Sequence, residues 1–303
     1  MAVSSQLDKA YALHQTGELG AAIDIYERLL AQEPQDTTLL HLLGLAYLQQ
    51  KRTQESIPFL EHAVRQNPDS ATYLNHLALA YKNDHQFDNA AQTFNAALRI
   101  RPAQPDILYN RGNLEFDHGD YEVARETYKE SLANRPGFAN AWNKLGTCLY
   151  YQGDLQEAEK AYLSAIRYNP RSVNSRRNIG ALYIRERRFE EAETHLSAAF
   201  GLDPCDVSTL RMLIEVCCRL EKPKCARSYI DENQSKCGKD STASLLAQAT
   251  LKEYEGVNPA SLLSLYGKML EHDPKSIEAI FRKADLHRDL GEFDEAIDLM
   301  KRA

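Results

Sequence analysis

The stretch NAWNKLGTCLYYQGDLQEAEKAYLSAIRYNP, residues 140–170, decides the fold. Its closing residue, Pro170, is one of six prolines spaced 34 residues apart: Pro34, Pro68, Pro102, Pro136, Pro170 and Pro204. When each 34-residue unit is numbered so that its proline takes place thirty-two, the other positions fall into line. Place eight is always small (Ala10, Gly44, Ala78, Gly112, Gly146, Gly180), and so is place twenty (Ala22, Ser56, Ala90, Ala124, Ala158, Ala192). Place twenty-four is large (Tyr26, Leu60, Phe94, Tyr128, Tyr162, Leu196), and place twenty-seven is mostly small again (Ala63, Ala97, Ser131, Ala165, Ala199).

A fixed period of this length is the signature of a repeat array. Each unit reads as two short helices. Small residues at places eight and twenty let the two backbones approach, and the large residue at twenty-four fills the space between one repeat and the next. Gly17, Gly119 and Gly153 stand where the first helix turns into the second, a position that asks for a left-handed backbone. The prolines close the second helix or open the next connection. One such unit cannot bury its apolar face, whereas a stack of them buries a continuous core.

With its Trp142-x-x-Leu145-Gly146 signature, the pattern resembles the tetratricopeptide-repeat (TPR) family. The resemblance implies an all-α fold, a right-handed superhelical solenoid of antiparallel helix pairs. Six regular repeats span 3–206. Residues 207–242 form a degenerate seventh, which keeps Leu210, Leu213 and Ala226 but has Gly238 where the proline should be. Pro204 and Pro274 lie 70 residues apart, so the phase slips near Ser241–Thr242. Residues 243–303 hold an eighth repeat and a truncated ninth. The final FDEAIDLMKRA is apolar-periodic and lacks the polar cap with which solenoids end. The expectation is a fragment of a longer protein, or an end covered by a partner or by self-association with another copy.

Composition narrows the function classes. A hydrophobic fraction of 43% with 26% charged residues fits a folded chain, and the net charge of −7 argues against nucleic acid as partner. No apolar run is long enough to span a membrane, and MAVSSQLDKAYALHQ is no secretory leader, so a cytoplasmic protein is expected. The six cysteines contain no C-x-x-C pair and are expected to be reduced thiols. Cys217 and Cys225 fall at places where the two helices of a repeat face each other. A metal or a disulfide is conceivable there; the plainer reading is that small thiols fill a tight helix contact.

No phosphate loop, nucleophile elbow, zinc-protease motif or EF-hand loop occurs, so no catalytic residue, cofactor or metal is expected. His76 and His118 read as solvated polar positions. In the family that the chain resembles, the first helices of successive repeats line a concave groove. From the third repeat on, the corresponding stripe of this sequence is rich in asparagine: Asn75, Asn110, Asn113, Asn140, Asn143, Asn174 and Asn178. Tyr109, Lys144, Arg177 and Arg185 lie among them.

Asparagine disfavours helix interiors relative to alanine, so a ladder of it needs a reason. A carboxamide both donates and accepts, and can hold the backbone of an extended peptide whatever its sequence. The ladder is similar to that of O-linked N-acetylglucosamine transferases, where it grips the main chain of protein substrates. Asn140 and Asn174 lie near helix starts and also read as caps. Arg171, Arg176, Arg177, Arg185, Arg187 and Arg188 against the single acid Glu186 suggest a partner with an acidic segment. Asn113, Lys144 and Asn178 only loosely echo the carboxylate clamp of chaperone-binding members, so chaperone C-termini are not expected.

The expected function is therefore a protein-interaction scaffold that binds an extended peptide segment. The peptide-binding residues expected are Asn75, Tyr109, Asn110, Asn113, Asn143, Lys144, Asn174, Arg177, Asn178 and Arg185. The alternative is the substrate-recognition module of a longer transferase, because the opening resembles bacterial repeat proteins that carry a glycosyltransferase or sulfotransferase domain downstream.

Overall fold

A computed structural model describes residues 2–302, with side chains from residue 5 onward. The described residues form eighteen helices. Residues 2–152 hold α1 (Ala2–Thr16), α2 (Leu19–Gln32), α3 (Thr37–Gln49), α4 (Thr53–Gln66), α5 (Ala71–Asn83), α6 (Phe87–Ile100), α7 (Pro105–His118), α8 (Tyr121–Asn134) and α9 (Ala139–Gln152). The rest holds α10 (Leu155–Tyr168), α11 (Val173–Arg185), α12 (Phe189–Leu202), α13 (Val207–Arg219), α14 (Pro223–Cys237), α15 (Thr242–Tyr254), α16 (Pro259–His272), α17 (Ile277–Asp289) and α18 (Phe293–Met300). The chain divides into two compact units at Gln152 and Gly153. Within each, a helix packs on the helices next to it in sequence, and the first helices of successive repeats lie side by side.

Local chemistry sets the helix ends. First helices start on short polar caps: Asp36 accepts from Leu39 N at 2.9 Å, Ser172 from Ser175 N at 3.2 Å and Asp206 from Thr209 N at 3.1 Å. The tight turn inside each repeat places one residue in the left-handed region. Glycine supplies it at Gly17, Gly119, Gly153, Gly256 and Gly291, but Lys51, His85, Arg187 and Glu221 supply it elsewhere. These nine positions run at intervals of 34 up to Glu221 and 35 afterwards. One extra residue lengthens α14, and one lengthens the turn at 255–258.

Place eight packs under place twenty-four of its own repeat. A Cβ added to Gly44, Gly112 or Gly180 would come within 2.8, 2.7 or 2.6 Å of Leu60, Tyr128 or Leu196. The large residue therefore fills the gap within a repeat as well as facing the next. In the seventh repeat place eight is Ile214, fully buried, where the first six repeats have alanine or glycine. There α13 packs more extensively on α15 than on its own partner.

The cysteines depart from the expectation of six reduced thiols. Cys205 and Cys237 are joined by a disulfide, with Cα atoms 5.8 Å apart. They lie 32 residues apart in sequence, and the two helices of the seventh repeat return the chain to its start, which brings them together. Beside them Asn233, fully buried, donates from Nδ2 to the Pro204 carbonyl at 2.8 Å. Cys148, Cys217, Cys218 and Cys225 are free thiols. No helix among the described residues is long and apolar enough to cross a membrane.

Candidate functional site

In the first unit the stripe falls on α3, α5, α7 and α9. Asn75 on α5 is only 8% exposed, and its Oδ1 accepts from Asn110 Nδ2 on α7 at 3.0 Å. Among the described residues, the remaining donor of Asn75 and the side-chain carbonyl of Asn110 have no partner, and neither is sealed from solvent. Asn113, one turn along α7, accepts from the Tyr128 hydroxyl at 2.8 Å. Tyr109 lies against Phe138 and Tyr128, with ring centroids 4.9 and 6.0 Å away. Burial pushes the Tyr109 phenol up, with the Asn113 side chain pulling the other way.

On α9, half-buried Lys144 holds its ammonium 4.7 Å over the Phe116 ring and, among the described residues, has no carboxylate partner. Asn143 is half-buried and already engaged within the protein. Trp142 donates from Nε1 to the Pro136 carbonyl at 2.7 Å, which fixes the start of its own helix. Asn140 is exposed.

Continuing along the same stripe toward the N-terminus, two histidines meet. His41 Nε2 and His76 Nδ1 are 2.6 Å apart, their rings are stacked at 4.9 Å, and His41 stacks on Tyr73 at 4.2 Å. Burial first, then the neighbouring His76 and His14, push His41 down to about 3; burial also lowers His76. His76 is thus part of a packed pair and not a solvated position. His118 is exposed, as read from the sequence.

In the second unit the stripe residues on α11 are spent differently. Ser172, not Asn174, caps α11. Asn174 accepts from Arg177 Nη2 at 2.8 Å, and Arg177 Nη1 bonds Asp206 at 2.8 Å. Burial would raise the Asp206 carboxyl, but hydrogen bonds from Thr209 and Arg177 and the charge of Arg177 hold it below the usual range. Arg188 is shared by Glu159, Glu186 and Glu191 at 2.9, 3.0 and 3.0 Å, and Arg176 bonds the Pro170 carbonyl at 3.1 Å. The arginine excess read from 171–188 is therefore largely committed to the protein itself. Asn178, half-buried, and Arg185, exposed, are also engaged.

The histidine pair and the Asn75–Asn110 contact were not anticipated as contacts, yet the sequence holds a signal for both. His41 to His76, Asn75 to Asn110 and His14 to Gln49 are each 35 residues apart, one repeat plus one residue. That offset is where first-helix side chains of neighbouring repeats touch.

Comparison with known proteins agrees with this architecture. Family models described as tetratricopeptide repeat match residues 13–80, 71–104, 109–164, 143–205 and 277–303. A tetratricopeptide repeat protein from Parabacteroides merdae is similar over 82% of this chain and 98% of its own, at 18% identity and a TM-score of 0.61. PilF of Pseudomonas aeruginosa is similar over 70% of this chain and 96% of its own (20% identity, TM-score 0.60). TTC0263 of Thermus thermophilus is similar over 60% and 99% (20% identity, TM-score 0.52). No curated protein matches the sequence. The repeat models together cover more than half of the chain, which belongs to the tetratricopeptide-repeat family of protein-interaction scaffolds.

Proposed function

We propose that the first unit binds an extended segment of a protein partner along α5, α7 and α9, with an acidic residue of that segment on Lys144. One observation carries this reading: among the described residues Lys144 has no carboxylate partner, while Arg111 and Lys82 in the same unit are paired with Glu115 and Asp117. The spare donor of Asn75 and acceptor of Asn110 suit one peptide group, which offers a carbonyl and an N–H. Tyr109 supplies an aromatic wall that loses little side-chain entropy on binding. Asn143 belongs to the same strip, and Asn174, Arg177, Asn178 and Arg185 are proposed contacts of the second unit.

The reading is tested with acidic peptides selected from a displayed random library on the full chain. Lys144→Ala is expected to weaken them at least tenfold, and raising salt to weaken them further, because the contact is charge-assisted and exposed. Selected peptides that bind Lys144→Ala as tightly as the wild type would overturn the proposal.

A further inference from the structure

We propose that Glu193, Cys217 and Cys225 form a binding site for a thiophilic divalent cation such as Zn²⁺. The three residues come from α12, α13 and α14, and one ligand atom from each lies within 4.8 Å of the others. Two thiolates and one carboxylate are a donor set suited to tetrahedral zinc, with a fourth position left for water. In such a site sulfur–sulfur separations are slightly under 4 Å, about 1.6 times the Zn–S bond of ~2.3 Å.

The surroundings fit a metal better than they fit a plain thiol contact. Lys222 Nζ bonds Glu193 Oε2 at 2.7 Å, which orients the carboxylate and leaves Oε1 for the ion. An outer partner of this kind is what ligating carboxylates need. The charges also balance. Binding Zn²⁺ releases one proton from each thiol, so two thiolates, one carboxylate and the cation sum to −1, and the adjacent ammonium offsets it. Lys222 itself is fixed by the turn, its N–H donating to the Cys217 carbonyl at 2.8 Å and its carbonyl accepting from Cys225 N at 3.0 Å. Cys217 is wholly buried, and burial first, with Cys225 and Glu193 adding, pushes its thiol up to about 12. Because a thiol must lose its proton to ligate, affinity rises with pH. The Cys205–Cys237 disulfide joins the connection before α13 to the end of α14.

The experiment titrates Co²⁺ into the full chain with Cys205–Cys237 oxidised and the other thiols free, and then adds Zn²⁺. The expected result is one equivalent of bound cobalt with thiolate-to-cobalt charge-transfer bands, lost when Zn²⁺ displaces it, and protection of the half-buried Cys225 from an alkylating agent. Cys225→Ser, at a half-buried position, should abolish the bands, and Glu193→Gln should weaken binding at least tenfold. Cys148→Ser, at a thiol outside the cluster, should keep the bands. No bands in the wild type, bands that survive Cys225→Ser, bands lost in Cys148→Ser, or a Cys217–Cys225 disulfide in place of the free thiols would each overturn the proposal.

Discussion

At Gly112 the repeat code becomes a packing constraint on one atom. A methyl there would stand 2.7 Å from the ring of Tyr128, which is fully buried and has no room to swing away. Gly112→Ala is therefore expected to destabilise by about 1–3 kcal/mol, although alanine is the better helix former by about 1 kcal/mol. Gly267, inside α16, meets nothing closer than the Lys283 ammonium at 4.0 Å. Gly267→Ala should stabilise by roughly 0.5–1 kcal/mol, and thermal melts of the two variants check the opposite signs. The same scale separates the two roles of the asparagines. Asn110→Ala strips the donor from Asn75, which is nearly buried, and should cost about 1 kcal/mol with no partner present. A stability effect at Asn110 next to a near-neutral Lys144→Ala, in melts of the free protein, separates framework from binding strip.

The histidine pair works at the scale of two helices, α3 against α5. Both rings are lowered by burial, so the folded protein keeps them neutral where the unfolded chain takes up protons. Above the ordinary histidine range neither state is protonated and the pair costs nothing. As pH falls through about 6.5 the unfolded chain binds more protons, and stability drops until His41 itself titrates near 3. Between pH 6.5 and 5 the His41 contribution alone is about 2 kcal/mol, and His41→Gln should flatten that part of the stability profile measured by urea unfolding. Sequence spacing made the helices and their turns legible, since the 34-residue period is the packing period. It did not reveal which polar stripe residues serve one another. Asn75 and Asn110, or His41 and His76, look equivalent to free groove residues until the offset of 35 is known to mean contact. The left-handed turns at Lys51, His85, Arg187 and Glu221 were hidden for a related reason, because only glycine announces that backbone in a sequence.

Across the whole molecule, stability is expected to be a sum of local terms, because within each unit helices pack mainly on their neighbours in sequence. Among the described residues the disulfide is the one covalent exception, and it joins the connection just before α13 to the end of α14. Closing a loop of this size stabilises by about 3–4 kcal/mol in the chain-entropy account. In the seventh repeat α13 packs less extensively on α14 than on α15, so the bond supplements a weaker helix contact. Replacing the pair by Cys205→Ser/Cys237→Ser should therefore act locally. Amide hydrogen exchange is expected to quicken first in α13 and α14, then in α12 and α15 that flank them, while α3–α6 keep their protection. A uniform loss of protection along the chain would instead mean that all eighteen helices unfold as one cooperative body, and the additive view of this array would have to be abandoned.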